Sequence, residues 1–273
     1  MCIIYCIKSK HDTAVAAVRR TWGHKCDGFA AMSDETDPDL PALNVPHEGK
    51  EEYKNIWQKV RSIWLMVYQR YYDDFEWFYI GGDDLYIIVE NLRLYLNSDE
   101  IVRAGWIKQP ARGGANGGES GTTAVEAVPL FLGRRFAQGG NAERMFNSGG
   151  AGYLLNRAAL RLLAENALDN PACQPHLKGF WEDVQVANCL KKAGGVLPYD
   201  TRDGLGRERF HPFTPANHLT YRVPPNGKDW YAQYSIDLKI GEECCSTKSI
   251  SFHYVKHQLM PKLHAFLYDC RNG

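Results

Sequence analysis

The sequence predicts a single α/β domain over residues 1–273, with helices flanking a mixed central sheet. Three observations carry this. Residues 2–7 (CIIYCI) are a short continuous apolar run, the pattern of a strand covered on both faces. Between 51 and 72, Tyr53, Ile56, Trp57, Val60, Ile63, Trp64, Val67 and Tyr71 recur at helical spacing, which predicts a long amphipathic helix. Immediately afterwards FEWFYI at 75–80 reads as a buried strand that runs into the acidic turn GGDD.

The remaining elements follow in order. Val15, Val18 and Trp22 predict a helix over 12–22, and the Ser-, Asp-, Pro- and Gly-rich stretch 33–50 predicts a loop. A strand at 85–89 and a helix at 90–96 follow the acidic turn. From 109 to 126 the composition shifts to Gly, Ala, Ser and Thr, which predicts a mobile surface loop, an insertion to which no chemistry is assigned. A strand at 128–131, a glycine turn at 149–152 and helices at 157–167 and 183–192 complete the reading. No repeat or linker divides the chain.

Lys plus Arg and Asp plus Glu are each 32, so no basic excess points to nucleic acid or an anionic membrane. No apolar run approaches the roughly 18 residues of a membrane span. The opening MCIIYCIKSK is too short and in the wrong order for a signal peptide, so any anchor or targeting segment lies outside this sequence or is absent. Eight cysteines without a CxxC pair argue against a zinc ribbon or thioredoxin-like site and favour an oxidising compartment.

Four segments carry candidate chemistry. The adjacent carboxylates of FYIGGDDLYI (78–87) end an apolar strand, and burying them requires a cation such as a divalent metal bridging a diphosphate; a solvated turn explains them equally. His253 in SFHYV is either a metal ligand or a core histidine. The glycines of FNSGGAGYLLN (146–156) allow close backbone approach to a ligand, or simply make a tight turn before a helix. Glu182 and Asp183 open a predicted helix, where the dipole alone accounts for them; a base beside the sugar-stacking ring of Trp181 is the functional reading.

Taken together and in order, VRRTWGHKCD, WFYIGGDDLY, FLGRRF, SGGAGYLL, WEDV, DTRDGLGRERFHPF and CCS…SFHYV resemble the fringe-type β1,3-glycosyltransferase family over nearly the whole chain. GRRF, TRD…FHPF and CCS…SFHYV resemble its core 1 branch, whose members add galactose to GalNAc on Ser or Thr. The resemblance implies a nucleotide-sugar fold of GT-A type, UDP-galactose as donor, Mn²⁺ as cofactor, a GalNAc-bearing glycopeptide or glycoprotein as acceptor, and inverting transfer. It implies metal contacts from Asp84, Asp83 and His253, and a catalytic base at Asp183. Arg20, Trp22, Trp57, Lys59, Gly149, Gly150 and Gly152 match donor-binding positions, and Trp181 and Glu182 fall on the acceptor side. A Golgi or secretory-pathway lumen, an anchor outside this chain, and disulfides Cys2–Cys26 and Cys173–Cys189 are expected on the same basis, and a homodimer is compatible with it.

One departure stands out. The family usually keeps three acids in its metal motif, and Gly82 occupies the first. Three other readings stay open at this stage: a relative with another donor or acceptor, a non-catalytic chaperone-like relative, and a glycan-binding module.

Overall fold

Short apolar strands buried on both faces build the centre of the molecule. The computed structural model describes residues 1–6, 11–108 and 125–270. The first half contains β1 (Cys2–Tyr5), α1 (Ala16–Thr21), β2 (Phe29–Ser33), β3 (Ala42–Asn44), α2 (Ile56–Tyr71), β4 (Trp77–Gly82), β5 (Tyr86–Ile87), α3 (Val89–Leu96), α4 (Asp99–Ala104) and β6 (Trp106–Lys108). The second contains β7 (Val125–Ala127), β8 (Phe131–Gly133), β9 (Arg135–Ala137), β10 (Met145–Asn147), β11 (Tyr153–Asn156), α5 (Arg157–Leu162), α6 (Glu182–Gly194), β12 (Phe210–His211), α7 (Pro215–Thr220), α8 (Trp230–Tyr234), β13 (Ser251–Phe252) and α9 (Met260–Tyr268).

Six strands form the central sheet in the order β3-β2-β1-β4-β11-β8. The first four are parallel, whereas β11 runs antiparallel to both β4 and β8, so the sheet is mixed as predicted. Successive side chains alternate faces. Ile3, Phe78 and Ile80 pack with Trp57, Val60, Ile63 and Trp64 of α2 on one side. Cys2, Ile4 and Tyr79 pack with Val18, Trp22, Leu92 and Phe252 on the other. The parallel strands β1 and β4 end side by side, Tyr5 opposite Gly82. The acidic turn therefore projects from the carboxyl edge of the sheet, where ligands of such sheets bind.

Several boundaries differ from the sequence expectation. The glycine turn leads first into β11 and only then into α5, because Tyr153 to Asn156 are all buried between β4 and β8. The strand expected at 128–131 instead occupies Phe131–Gly133. The stretch 33–50 contains β3, and β2 was not foreseen. Of the Gly-rich segment 109–126, residues 109–124 lie outside the described residues, as does Ile7; Val125 and Glu126 belong to β7, which pairs antiparallel with β6. Both expected disulfides form, Cys2–Cys26 and Cys173–Cys189, together with a bridge between the neighbours Cys244 and Cys245. Among the described residues no helix is long and apolar enough to cross a membrane.

Candidate active site

Register brings Asp84 and His253 together. β13 pairs antiparallel with β5, placing Phe252 opposite Tyr86. The next residue of β13 then lies beside the turn that precedes β5, and the Val255 N–H donates to the Asp84 carbonyl at 2.9 Å. His253 Nε2 stands 3.3 Å from Asp84 Oδ1 as a result. Trp22 fixes the turn from behind, its buried indole N–H donating to the Leu85 carbonyl at 3.0 Å.

The glycine turn supplies the opposite wall. A Cβ at Gly150 would lie 2.4 Å from the His253 ring, and one at Gly149 only 2.0 Å from Glu182 Oε1. Absence of a side chain thus lets the turn touch both halves of the site. The Gly149 N–H donates to Asp183 Oδ2 and the Val184 N–H to Asp183 Oδ1, each at 2.9 Å. These bonds aim the carboxylate from the first turn of α6 into the cleft. Burial pushes the Asp183 carboxyl up from its ordinary value, against the pull of those backbone N–H groups.

Glu182 behaves differently. It is buried, accepting from the Tyr153 hydroxyl at 2.9 Å and the Tyr5 hydroxyl at 3.4 Å. Burial first, and then the Asp183 charge, push its carboxyl well above the usual range; the tyrosine hydroxyls work the other way. Glu182 anchors the start of α6, and Asp183 is the carboxylate free to meet a substrate.

These groups line one cavity of about 370 Å³, bounded by Tyr5, Gly82, Asp83, Asp84, Gly149, Gly150, Glu182, Asp183 and His253. That size suits a small-molecule site. Aromatic side chains that sequence reasoning missed complete it: Tyr53, Phe180 and Tyr254. Trp181 does not line the cavity; it is half exposed, its ring 4.2 Å from that of Phe180. Tyr254 adopts a left-handed backbone (φ 57°) and stacks on His253 at 3.8 Å. A bulky residue holds such a conformation only where its surroundings fix it, and such residues cluster at functional sites. No periodicity in the sequence marks it.

Four expected donor-binding residues lie away from this cavity. Trp22 is fully buried in the core, and Trp57 likewise, its indole donating to the Gln174 carbonyl at 3.2 Å. Lys59 is buried, donating to the Cys6 carbonyl at 2.8 Å and pairing with Glu51. Arg20 lies in a separate surface hollow with Arg19, His24 and Leu40, its guanidinium turned back onto the Ala16 carbonyl. None of the four lines the cleft: Trp22, Trp57 and Lys59 tie their helices to other segments, and Arg20 folds back on its own. Gly152 sits beneath it at φ 72°, with Tyr79 and Leu85 within 2.9 Å of where a Cβ would be.

Comparison with known proteins fits this geometry. Across 273 residues, 99% of its length, the chain is 32% identical to glycoprotein-N-acetylgalactosamine 3-beta-galactosyltransferase 1 of Xenopus laevis and spans 66% of that protein. Over two thirds of its length it is 24% identical to chondroitin sulfate synthase 3 of Mus musculus and 25% identical to that of Homo sapiens, spanning 19% of each. No family model matches the chain.

Proposed function

The chain belongs to the core 1 β1,3-galactosyltransferase-like family, and from that premise we propose that it transfers galactose from UDP-galactose, with inversion, to the 3-hydroxyl of GalNAc on glycoproteins. The observation that carries the reading is the meeting of Asp83, Asp84, His253 and Asp183, drawn from three distant segments, around one cleft.

Asp183 acts as the general base. Its carboxylate is oriented by two backbone N–H groups, and its raised proton affinity suits it to accept a proton in the transition state. The acceptor oxygen attacks the anomeric carbon while the bond from that carbon to the diphosphate breaks on the far side. The electron pair leaves with UDP, and the acceptor proton ends on Asp183. Such a base is worth about 10²- to 10⁴-fold in rate.

Asp84, Asp83 and His253 form a donor set suited to Mn²⁺, which accepts mixed carboxylate and imidazole ligands. His253 Nε2 and Asp84 Oδ1 stand 3.3 Å apart, so one ion would be held by both. When bound there, the ion supplies positive charge that stabilises the departing diphosphate. The aromatic side chains of Tyr53, Phe180 and Tyr254 offer apolar faces to sugar rings and narrow the access of water that would otherwise hydrolyse the donor. The three disulfides support work in an oxidising lumen such as the Golgi.

The test is incubation with UDP-galactose, Mn²⁺ and a simple GalNAc glycoside. A β1,3-linked disaccharide is expected. No product together with no measurable affinity for UDP would overturn the reading and favour a chaperone-like or glycan-binding relative.

A further inference from the structure

Away from the cleft, His211 of β12, His218 of α7 and Cys245 converge, one potential ligand atom of each lying within 4.8 Å of the others. Both histidines are buried. Hydrogen bonding settles the tautomer of His211. The Ser249 hydroxyl donates to the Ser246 carbonyl at 2.6 Å, so it accepts from His211 Nε2–H at 2.9 Å. His211 Nδ1 then carries a bare lone pair, and it is buried without a hydrogen-bond partner. A buried polar atom left unsatisfied is costly, and an imidazole that gives its other N–H to an oxygen is the usual arrangement of a metal ligand.

The surroundings favour neutral imidazoles, the form that ligates. Burial first, then the charges of His218 and Arg134, pushes His211 well below its ordinary value; burial and Arg134 bring His218 to about 3. Arg134 is itself paired with Glu208, which offsets its repulsion of a cation. His218 Nε2 accepts a long bond from the Phe213 N–H (3.2 Å), so ligation by this ring costs that bond or a tautomer change. The third group, Cys245, is masked by its bridge to Cys244.

We propose that opening the Cys244–Cys245 bridge creates a redox-gated site for a Zn²⁺-class cation, held by His211 Nδ1, His218 and Cys245 Sγ with water in the fourth position. A dithiol reductant supplies two electrons: the S–S bond breaks, the reductant leaves as its own disulfide, and each cysteine gains a proton. Cys245 then releases its proton to solvent as the metal–sulfur bond forms. Oxidation by another disulfide reverses both steps and expels the ion.

Two variants of the full chain separate ligation from loss of the bridge. Cys244→Ser frees Cys245, whereas Cys245→Ser removes bridge and ligand together. With Co²⁺ as probe, Cys244→Ser should show a thiolate-to-cobalt charge-transfer band that Zn²⁺ abolishes. Cys245→Ser should show no band although the thiols of Cys6, Cys244 and Cys270 remain, and the Asp84–His253 site has no thiolate to produce one. Adding His218→Ala to Cys244→Ser should remove the band. Equal bands in the two serine variants, or a band that survives His218→Ala, would overturn the proposal. So would the unmutated chain, if it gained no band once mass mapping showed the Cys244–Cys245 bridge reduced.

Discussion

The backbone N–H of Gly149 donates to the carboxylate of Asp183 at 2.9 Å, joining the glycine turn to the first turn of α6. The contact depends on the missing side chain. A Cβ at position 149 would lie 2.0 Å from Glu182 Oε1 and 3.3 Å from the Asp183 Cβ. Gly149→Ala must therefore displace the turn or the start of the helix. Overpacking of this kind costs about 1–3 kcal/mol, so a lower urea midpoint is expected together with a fall in kcat larger than the change in KM. Unfolding and turnover both at the level of the unmutated chain would refute this geometry.

The glycine turn also shows how far the sequence could be read. Gly149, Gly150, Asp183, Asp84 and His253 were all legible from short motifs and their order, and the structure gathers them around one cleft. Their partners were not. Tyr5 reads only as a strand residue and Tyr153 falls between the glycine turn and the next helix, and only the register of β1, β4 and β11 reveals that their hydroxyls meet at Glu182. Trp22, Trp57 and Lys59 show the converse: large or charged side chains near a site suggest ligands, and the sequence does not reveal that all three are buried. The strand β11 escaped because its four residues pass straight into a helix, leaving no turn to separate the two patterns.

Removing either member of the Asp84–His253 pair tests the metal site. Asp84→Asn and His253→Ala should each abolish the Mn²⁺-dependent part of UDP binding in calorimetric titration while far-ultraviolet dichroism stays unchanged. His253 is only partly buried, so loss of the fold is not expected. Gly82→Asp should do less: its Cβ would lie 3.2 Å from Asp84 Oδ1, a contact the carboxylate can relieve by a small shift. UDP–Mn²⁺ affinity unaltered in both Asp84→Asn and His253→Ala would remove the metal assignment.

Glu182 gives the protein a pH signature. Its folded-state proton affinity is raised well above the ordinary carboxylate value of 4.5, chiefly by burial. Below that value the group is protonated whether folded or unfolded and costs nothing. As pH rises above it, the unfolded state sheds the proton more readily, and stability falls until the folded-state value is passed. Glu182→Gln cannot ionise, and its amide can still bond the Tyr153 and Tyr5 hydroxyls. The stability difference between Glu182→Gln and the unmutated chain should shift in favour of the variant between pH 5 and pH 8. A difference that stays flat across this range would show that Glu182 is ionised in the folded state.

Asp183 and Glu182 are adjacent carboxylates, and the structure gives a reason to expect catalysis from only one. Glu182 is 4% exposed, with both oxygens engaged by tyrosine hydroxyls, so no acceptor can reach it without breaking the anchor of α6. Asp183 is held by backbone N–H groups, which orient an oxygen without consuming all of its lone pairs. Asp183→Asn preserves shape and can still accept from Gly149, but it has no basic oxygen. It should lower kcat by roughly 10²-fold or more, with UDP–Mn²⁺ affinity nearly unchanged because the base does not hold the diphosphate. The rate in the unmutated enzyme should rise as Asp183 ionises, so the acid limb of its pH profile lies above the ordinary Asp value, in the direction burial dictates. That limb should vanish in Asp183→Asn. Retained turnover in this variant, with Glu182→Gln inactive but folded, would transfer the role to Glu182. Loss of nucleotide affinity would instead move Asp183 into the shell that binds the donor.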